Sequence, residues 1–157
     1  MDFKEKQIKS ELIYNGKVVK LYVDDVKCPN NNISKREIVK HNGGVCILAI
    51  VDNKVILEKQ YRYAYDEELF ELPAGKLEKD ENPYDAGLRE LEEETGYKSE
   101  DIEWLLTMRT TMGFCNEKIE IYVARNLKAS KQNLDENEYV DVILKVKNGL
   151  LYSAFWI

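Results

Sequence analysis

A mixed α/β fold of the α+β kind, a β-sheet core carrying one helix with a small antiparallel sheet ahead of it, is predicted by three features of the sequence. Strand-like apolar runs flank a single, sharply delimited helical segment. The runs before residue 40 are separated by turn residues and stand close enough to pair with one another. Neither an internal repeat nor a low-complexity linker interrupts the remainder. Residues 1–40 are therefore expected to form an N-terminal antiparallel sheet and residues 41–157 the main domain, with a change of sheet rather than a loose joint between them.

In chain order, LIYNGKVVKLYVDDVK (12–27) sets Asn15-Gly16 between two β-rich runs, a strong hairpin signal. The turn-forming PNNN leads to a third strand from Ile33 to Lys40. GGVCILAIV, Gly43 to Val51, is a continuous apolar run of the kind a fully buried strand shows, and Asp52-Asn53 turns it into VILEKQYRY. LFELP follows and leads into an acidic stretch. Beyond that stretch, EKIEIYVAR alternates Ile119, Ile121 and Val123 as a half-buried strand does, and a last strand is expected near Tyr139 to Val146.

The acidic stretch, GKLEKDENPYDAGLRELEEETGY from Gly75 to Tyr97, holds eight acidic residues against three basic ones in twenty-three. Asn82 can cap, Pro83 suits the first helical position, Asp85 favours the positive end, and Gly96 suits the residue just past the end, so a helix is predicted over 83–95. At helical spacing Tyr84, Leu88, Leu91 and Thr95 form a buried stripe, while Glu90, Glu93 and Glu94 share nearly the opposite side. Like charges so placed destabilise an isolated helix by a few tenths of a kcal/mol per pair, so something outside the helix should compensate. Gly87 costs roughly 1 kcal/mol against alanine, which close approach by another backbone or a ligand would explain. Hard carboxylate oxygens on a rigid element suit Mg²⁺ or Mn²⁺.

Composition narrows the function. With 157 residues, 44% hydrophobic and 33% charged, the chain can bury roughly 70% of its unfolded surface as one soluble unit. A net charge of −6 argues against nucleic acid as a partner, and a phosphate ligand would need its charge masked. No apolar run reaches the length of a membrane span, and MDFKEKQIKSE lacks the apolar core of a signal peptide, so a cytoplasmic protein without a membrane partner is expected. Cys28, Cys46 and Cys115 have no metal-binding spacing and read as reduced thiols.

Gly75, Glu81 and the run Arg89-Glu90-Leu91-Glu92-Glu93-Glu94-Thr95-Gly96-Tyr97 together resemble the Nudix box, G-x5-E-x7-R-E-U-x-E-E-x-G-U with U apolar, matching at every fixed position. EKQYRYAYDEELFELPAGKLE and GFCNEKIEIYVARNL resemble the segments on either side of the box in the ADP-ribose pyrophosphatase branch. Where that branch usually carries proline, this chain has Met112. The resemblance implies a Nudix fold and Mg²⁺-dependent hydrolysis of ADP-ribose, or a related nucleoside diphosphate sugar, to AMP and ribose 5-phosphate. It implies metal binding by Glu90, Glu93, Glu94 and the carbonyl of Ala74, and a homodimer joined through the N-terminal sheet, to which the apolar LLYSAFWI could add. The acidic loop 133–138 is similar to one that supplies a catalytic glutamate in the branch, which makes Glu136 the base and Glu138 a further metal contact, with Glu93 as the box residue that could act instead. Gly113 and Phe114 are implied at the substrate.

Outside the box, Arg62 can grip phosphate bidentately and Glu71 is a candidate site carboxylate; within it, Arg89 can pair with Glu93 or Asp85, and Glu81 can order the loop. His41 reads as a turn residue, and Trp104 and Trp156 as packing residues. Two alternatives stand beside the ADP-ribose reading: hydrolysis of another nucleoside diphosphate derivative, and a non-catalytic Nudix-fold module that binds ADP-ribose.

Overall fold

The computed structural model describes residues 2–146, so the LLYSAFWI tail and Trp156 lie outside the described residues. The described chain divides into two compact units, one made of residues 2–43 with 109–118 and the other of 44–108 with 119–146.

In the first unit, β1 (Lys6–Asn15), β2 (Lys20–Lys27) and β3 (Ile33–Lys40) form an antiparallel sheet in that order. The hairpin between β1 and β2 is present, but Asn15 pairs with Lys20, so the connection is the four residues Gly16–Val19 rather than a two-residue Asn-Gly turn. The Gly16 amide donates to the Val19 carbonyl at 3.0 Å. Every residue of β1 is exposed. His41 does serve a turn: its Nδ1 accepts from the Gly43 amide at 3.0 Å, and its own amide donates to Asn116 Oδ1 at 2.8 Å.

The second unit is built on β4 (Gly44–Val51), β5 (Lys54–Arg62), β6 (Glu67–Glu71), β7 (Ala74–Lys76), the helix α1 (Pro83–Thr95), β8 (Tyr97–Lys98), β9 (Ile102–Arg109), β10 (Lys118–Ala124), β11 (Lys128–Ala129) and β12 (Asp141–Val146). Its main sheet runs β12-β5-β4-β10-β9, with β6 on β5 and β7 on β4. Asp52 and Asn53, both at positive φ (46° and 59°), close the β4–β5 hairpin as expected. β4 and β10 are parallel, and residues 121–124 of β10 are all buried. The alternation Ile119, Ile121, Val123 thus misjudged β10, which is central and covered on both sides. β9 was not foreseen, because IEWLLTMR mixes polar and apolar residues without period and stands partly exposed.

The helix begins and ends where its caps predict. Asn82 Oδ1 accepts from the Tyr84 amide at 2.9 Å, and Gly96, at φ 69°, returns its amide to Glu92. Ala86 and Leu91 enter the core beside Val45, Ile47, Ile56, Ile102 and Tyr122, with Tyr84 and Leu88 packed at its margin. What approaches Gly87 is core side chains rather than another backbone: a Cβ there would stand 2.8 Å from Ile102 Cδ1 and 3.7 Å from Tyr122 Cδ2, so the glycine lets the helix settle onto them. Among the described residues no helix is long and apolar enough to cross a membrane.

Candidate active site

One strand and one helix build the centre of the site. The Leu72-Pro73 turn delivers β7 alongside β4, with the Ile47 amide donating to the Pro73 carbonyl at 2.8 Å. That placement brings the Ala74 amide to Glu94 Oε2 at 3.0 Å. Glu94 is consequently 3% exposed, so the side that the three glutamates share is covered at Glu94. The α1 face that carries Glu90 and Glu94 lies against β7 instead of facing solvent. Gly75 makes this possible, because any Cβ at that position would collide with the Glu90 carboxylate.

Behind Glu94 stands a residue that the sequence analysis passed over. Glu58, on β5, is 0% exposed, follows the buried run Val55, Ile56, Leu57, and has no hydrogen-bond partner for either carboxylate oxygen. The Glu94 carboxyl faces it, and two carboxyls can share a hydrogen bond only while one holds a proton. Burial pushes both groups well above the usual carboxylate range, and their negative neighbours push further: Glu138, Glu71 and Glu90 for Glu58, and Glu58, Glu90 and Glu138 for Glu94. Glu90 is raised by burial too, against the opposing pull of Arg89. The signal available in the sequence was one acidic residue closing the apolar run VIL in a strand buried on both faces.

Two arginines organise the rim. Arg89 Nη1 lies 2.9 Å from Glu93 and 3.0 Å from Glu90, and its Nη2 lies 3.1 Å from Glu81. It therefore orients the box as anticipated, through Glu93 and Glu81, with no part for Asp85. Glu81 orders the loop by accepting the Glu78 amide at 2.9 Å. Arg62 and Glu71, singled out separately, form a bidentate pair at 2.7 and 2.6 Å across β5 and β6. Glu138 is half-buried, and its charge acts on Glu58, Glu90 and Glu94, whereas Glu136 is exposed. Gly113 and Phe114 belong to the first unit and are exposed there.

Among the described residues no three His, Cys, Asp or Glu side chains converge at ligating geometry, since Glu90 and Glu93 turn to Arg89 and Glu94 to the Ala74 amide. The donor set nonetheless suits a hard divalent cation. It is all oxygen, it is largely withdrawn from water, and beside it stand the two orphaned oxygens of Glu58, which a cation or its water would satisfy. Gly75→Ala should disturb this arrangement by displacing Glu90, and we expect Mn²⁺ affinity to fall by about tenfold with the fold retained. Electron paramagnetic resonance of free Mn²⁺ measures it, and unaltered affinity would separate Gly75 from cation binding.

The pattern of the NUDIX domain matches residues 40–148. The chain is 52% identical to the methanol dehydrogenase activator of Bacillus methanolicus, over 96% of this chain and 83% of that one. It is 46% identical to an ADP-ribose pyrophosphatase of Bacillus subtilis, over 88% and 77% of the respective lengths. A crystal structure of an ADP compounds hydrolase superposes with a TM-score of 0.85 at 23% identity, covering 94% of this chain and 81% of that one, which establishes the fold.

Proposed function

The chain belongs to the Nudix family, and on that premise we propose that it hydrolyses ADP-ribose, with a divalent cation, to AMP and ribose 5-phosphate. The observation that carries the reading is the buried carboxylate cluster around Glu94, whose charge a divalent cation would balance. When bound, Mg²⁺ or Mn²⁺ would neutralise the pyrophosphate, orient phosphorus and acidify water. Glu90 and Glu94, with Glu93 and the Ala74 carbonyl, would hold it. Arg89 keeps Glu90 and Glu93 in register, and the Ala74 amide fixes the rotamer of Glu94. A carboxylate of the 133–138 loop, or Glu93, takes the proton of the attacking water. One water adds across the P–O–P bridge, the bond to the departing phosphate breaks, and two phosphomonoesters leave. Arg62, held flat by Glu71, presents its remaining N–H edge to a phosphate oxygen, and Gly113 and Phe114 contact the substrate.

Product detection over a panel of nucleoside diphosphate derivatives, with and without Mg²⁺, tests the reading. AMP from ADP-ribose only with the cation is expected, and no hydrolysis of any compound would leave a binding module. A second substrate is favoured by the relative named for activating methanol dehydrogenase: dehydrogenases commonly hold nicotinamide dinucleotides, which are themselves pyrophosphates, so the panel includes them.

A cytoplasmic homodimer completes the proposal. The fully exposed β1 carries Ile8, Leu12, Ile13 and Tyr14 at 48–59% exposure, an apolar surface suited to a second copy. Deleting residues 1–40 is expected to give a monomer or an aggregate with weakened substrate binding, read by light scattering and KM. A well-behaved, fully active monomer would defeat it.

A further inference from the structure

We propose that Glu58 of β5 is a positioning residue of this cation site, a carboxylate brought from the sheet to oppose Glu94, which is brought from the helix. The inference rests on the hydrolase reading and extends it to a residue outside the box. Nothing local calls for an acid at this place. Val55, Ile56 and Leu57 before it are fully buried and apolar, and Val142 pairs with it from β12, so an aliphatic side chain would continue the strand at no cost. A buried carboxyl whose oxygens meet no donor except another carboxyl, that of Glu94, is instead among the least favourable groups a core can hold. The nearby guanidinium acts on Glu58 by charge alone, because both hydrogen bonds of the Arg62 fork that the structure shows go to Glu71, the cross-strand partner of Glu58. What remains facing Glu58 is the Glu94 carboxyl, with the charges of Glu90 and Glu138 close enough to act on it. Two opposed carboxyls whose only nearby counter-charge among the described residues, the Arg62 guanidinium, acts on them while hydrogen-bonded to Glu71 form half of an oxygen cage, and a divalent cation or its water supplies the other half. On this assignment Glu58 keeps Glu94 turned towards the cation and adds negative charge beneath it.

The test is Mn²⁺ binding to the full chain without substrate, followed by the free-ion resonance signal, for the parent, Glu58→Gln and Glu58→Val. Thermal melting of the cation-free proteins runs alongside. The expected result is Mn²⁺ affinity at least about tenfold weaker in both variants, with cation-free melting unchanged or higher, since removing a buried unpartnered acid relieves the apo protein. A structural role alone would lower melting and leave Mn²⁺ affinity untouched, which overturns the proposal. Should Glu58→Gln not fold, Glu58→Val, which matches the apolar run, gives the same two outcomes. A parent protein that binds no Mn²⁺ overturns the hydrolase reading and this inference together, whereas a parent that binds it as well as both variants do overturns only the role of Glu58.

Discussion

Replacing Glu94 with glutamine will cut turnover by about 100-fold or more while the fold survives, a loss equal to about 2.7 kcal/mol of transition-state stabilisation. The substitution is nearly isosteric. The glutamine carbonyl can still accept the Ala74 amide, so the 3.0 Å contact that fixes β7 against α1 is kept, and only the anionic oxygen is lost. Circular dichroism and cation-free melting should match the parent, because a charge that burial already disfavours has been removed. Turnover near the parent value in saturating Mg²⁺ would take Glu94 out of the reaction.

The loop bearing Glu136 and Glu138 should show a loss of similar or greater size. A base held near the attacking water contributes on the order of 10²–10⁴ in rate, so glutamine at the residue that serves will lower kcat by that factor with a smaller change in KM. The resemblance gives the base to Glu136, while the structure gives the electrostatic link with Glu90 and Glu94 to Glu138, whose carboxylate also accepts the Asp135 amide at 3.3 Å. An exposed Glu136 needs the loop to swing before it can act. Comparing Glu136→Gln, Glu138→Gln and the double variant assigns the roles. Parent rates from all three would leave the loop solvated and move the base to Glu93.

What the sequence disclosed and what it hid have different physical grounds. The limits of α1 were legible because capping is local: Asn82, Pro83 and Gly96 each act within one turn. The β4–β5 hairpin was legible for the same reason, its Asp52-Asn53 turn needing nothing beyond its own backbone. The burial of Glu94 was not, because it depends on β7, a three-residue strand with no pattern of its own, arriving across the helix. Helical spacing grouped Glu90, Glu93 and Glu94 correctly on one side, yet spacing cannot say whether that side meets water or another strand. Gly87 misled in the same way, since only the sheet reveals that Ile102 and Tyr122 fill the space. Glu58 stayed hidden because a charged residue within a strand normally marks an exposed position, and β5 is covered on both faces. The Arg62–Glu71 pair joined two residues chosen separately, which cross-strand register alone could reveal.

The parallel pairing of β4 with β10 bears on how the protein is made. Gly44 aligns with Ile119, so 75 positions separate partners at the heart of the sheet, and α1 with β7 lies inside that excursion. At about 5–20 residues per second, a ribosome spends about 4–15 seconds between delivering the two partners. β5 and β7 can pair with β4 in that interval, but the other flank of β4 stays open, and the Tyr122 that the helix packs upon has not been made. Closing so long a loop places refolding among the slower single domains, in milliseconds to seconds. A nascent chain halted before β10 should therefore hold its glutamates on a helix whose seat is incomplete, open to proteases until the last quarter of the chain arrives.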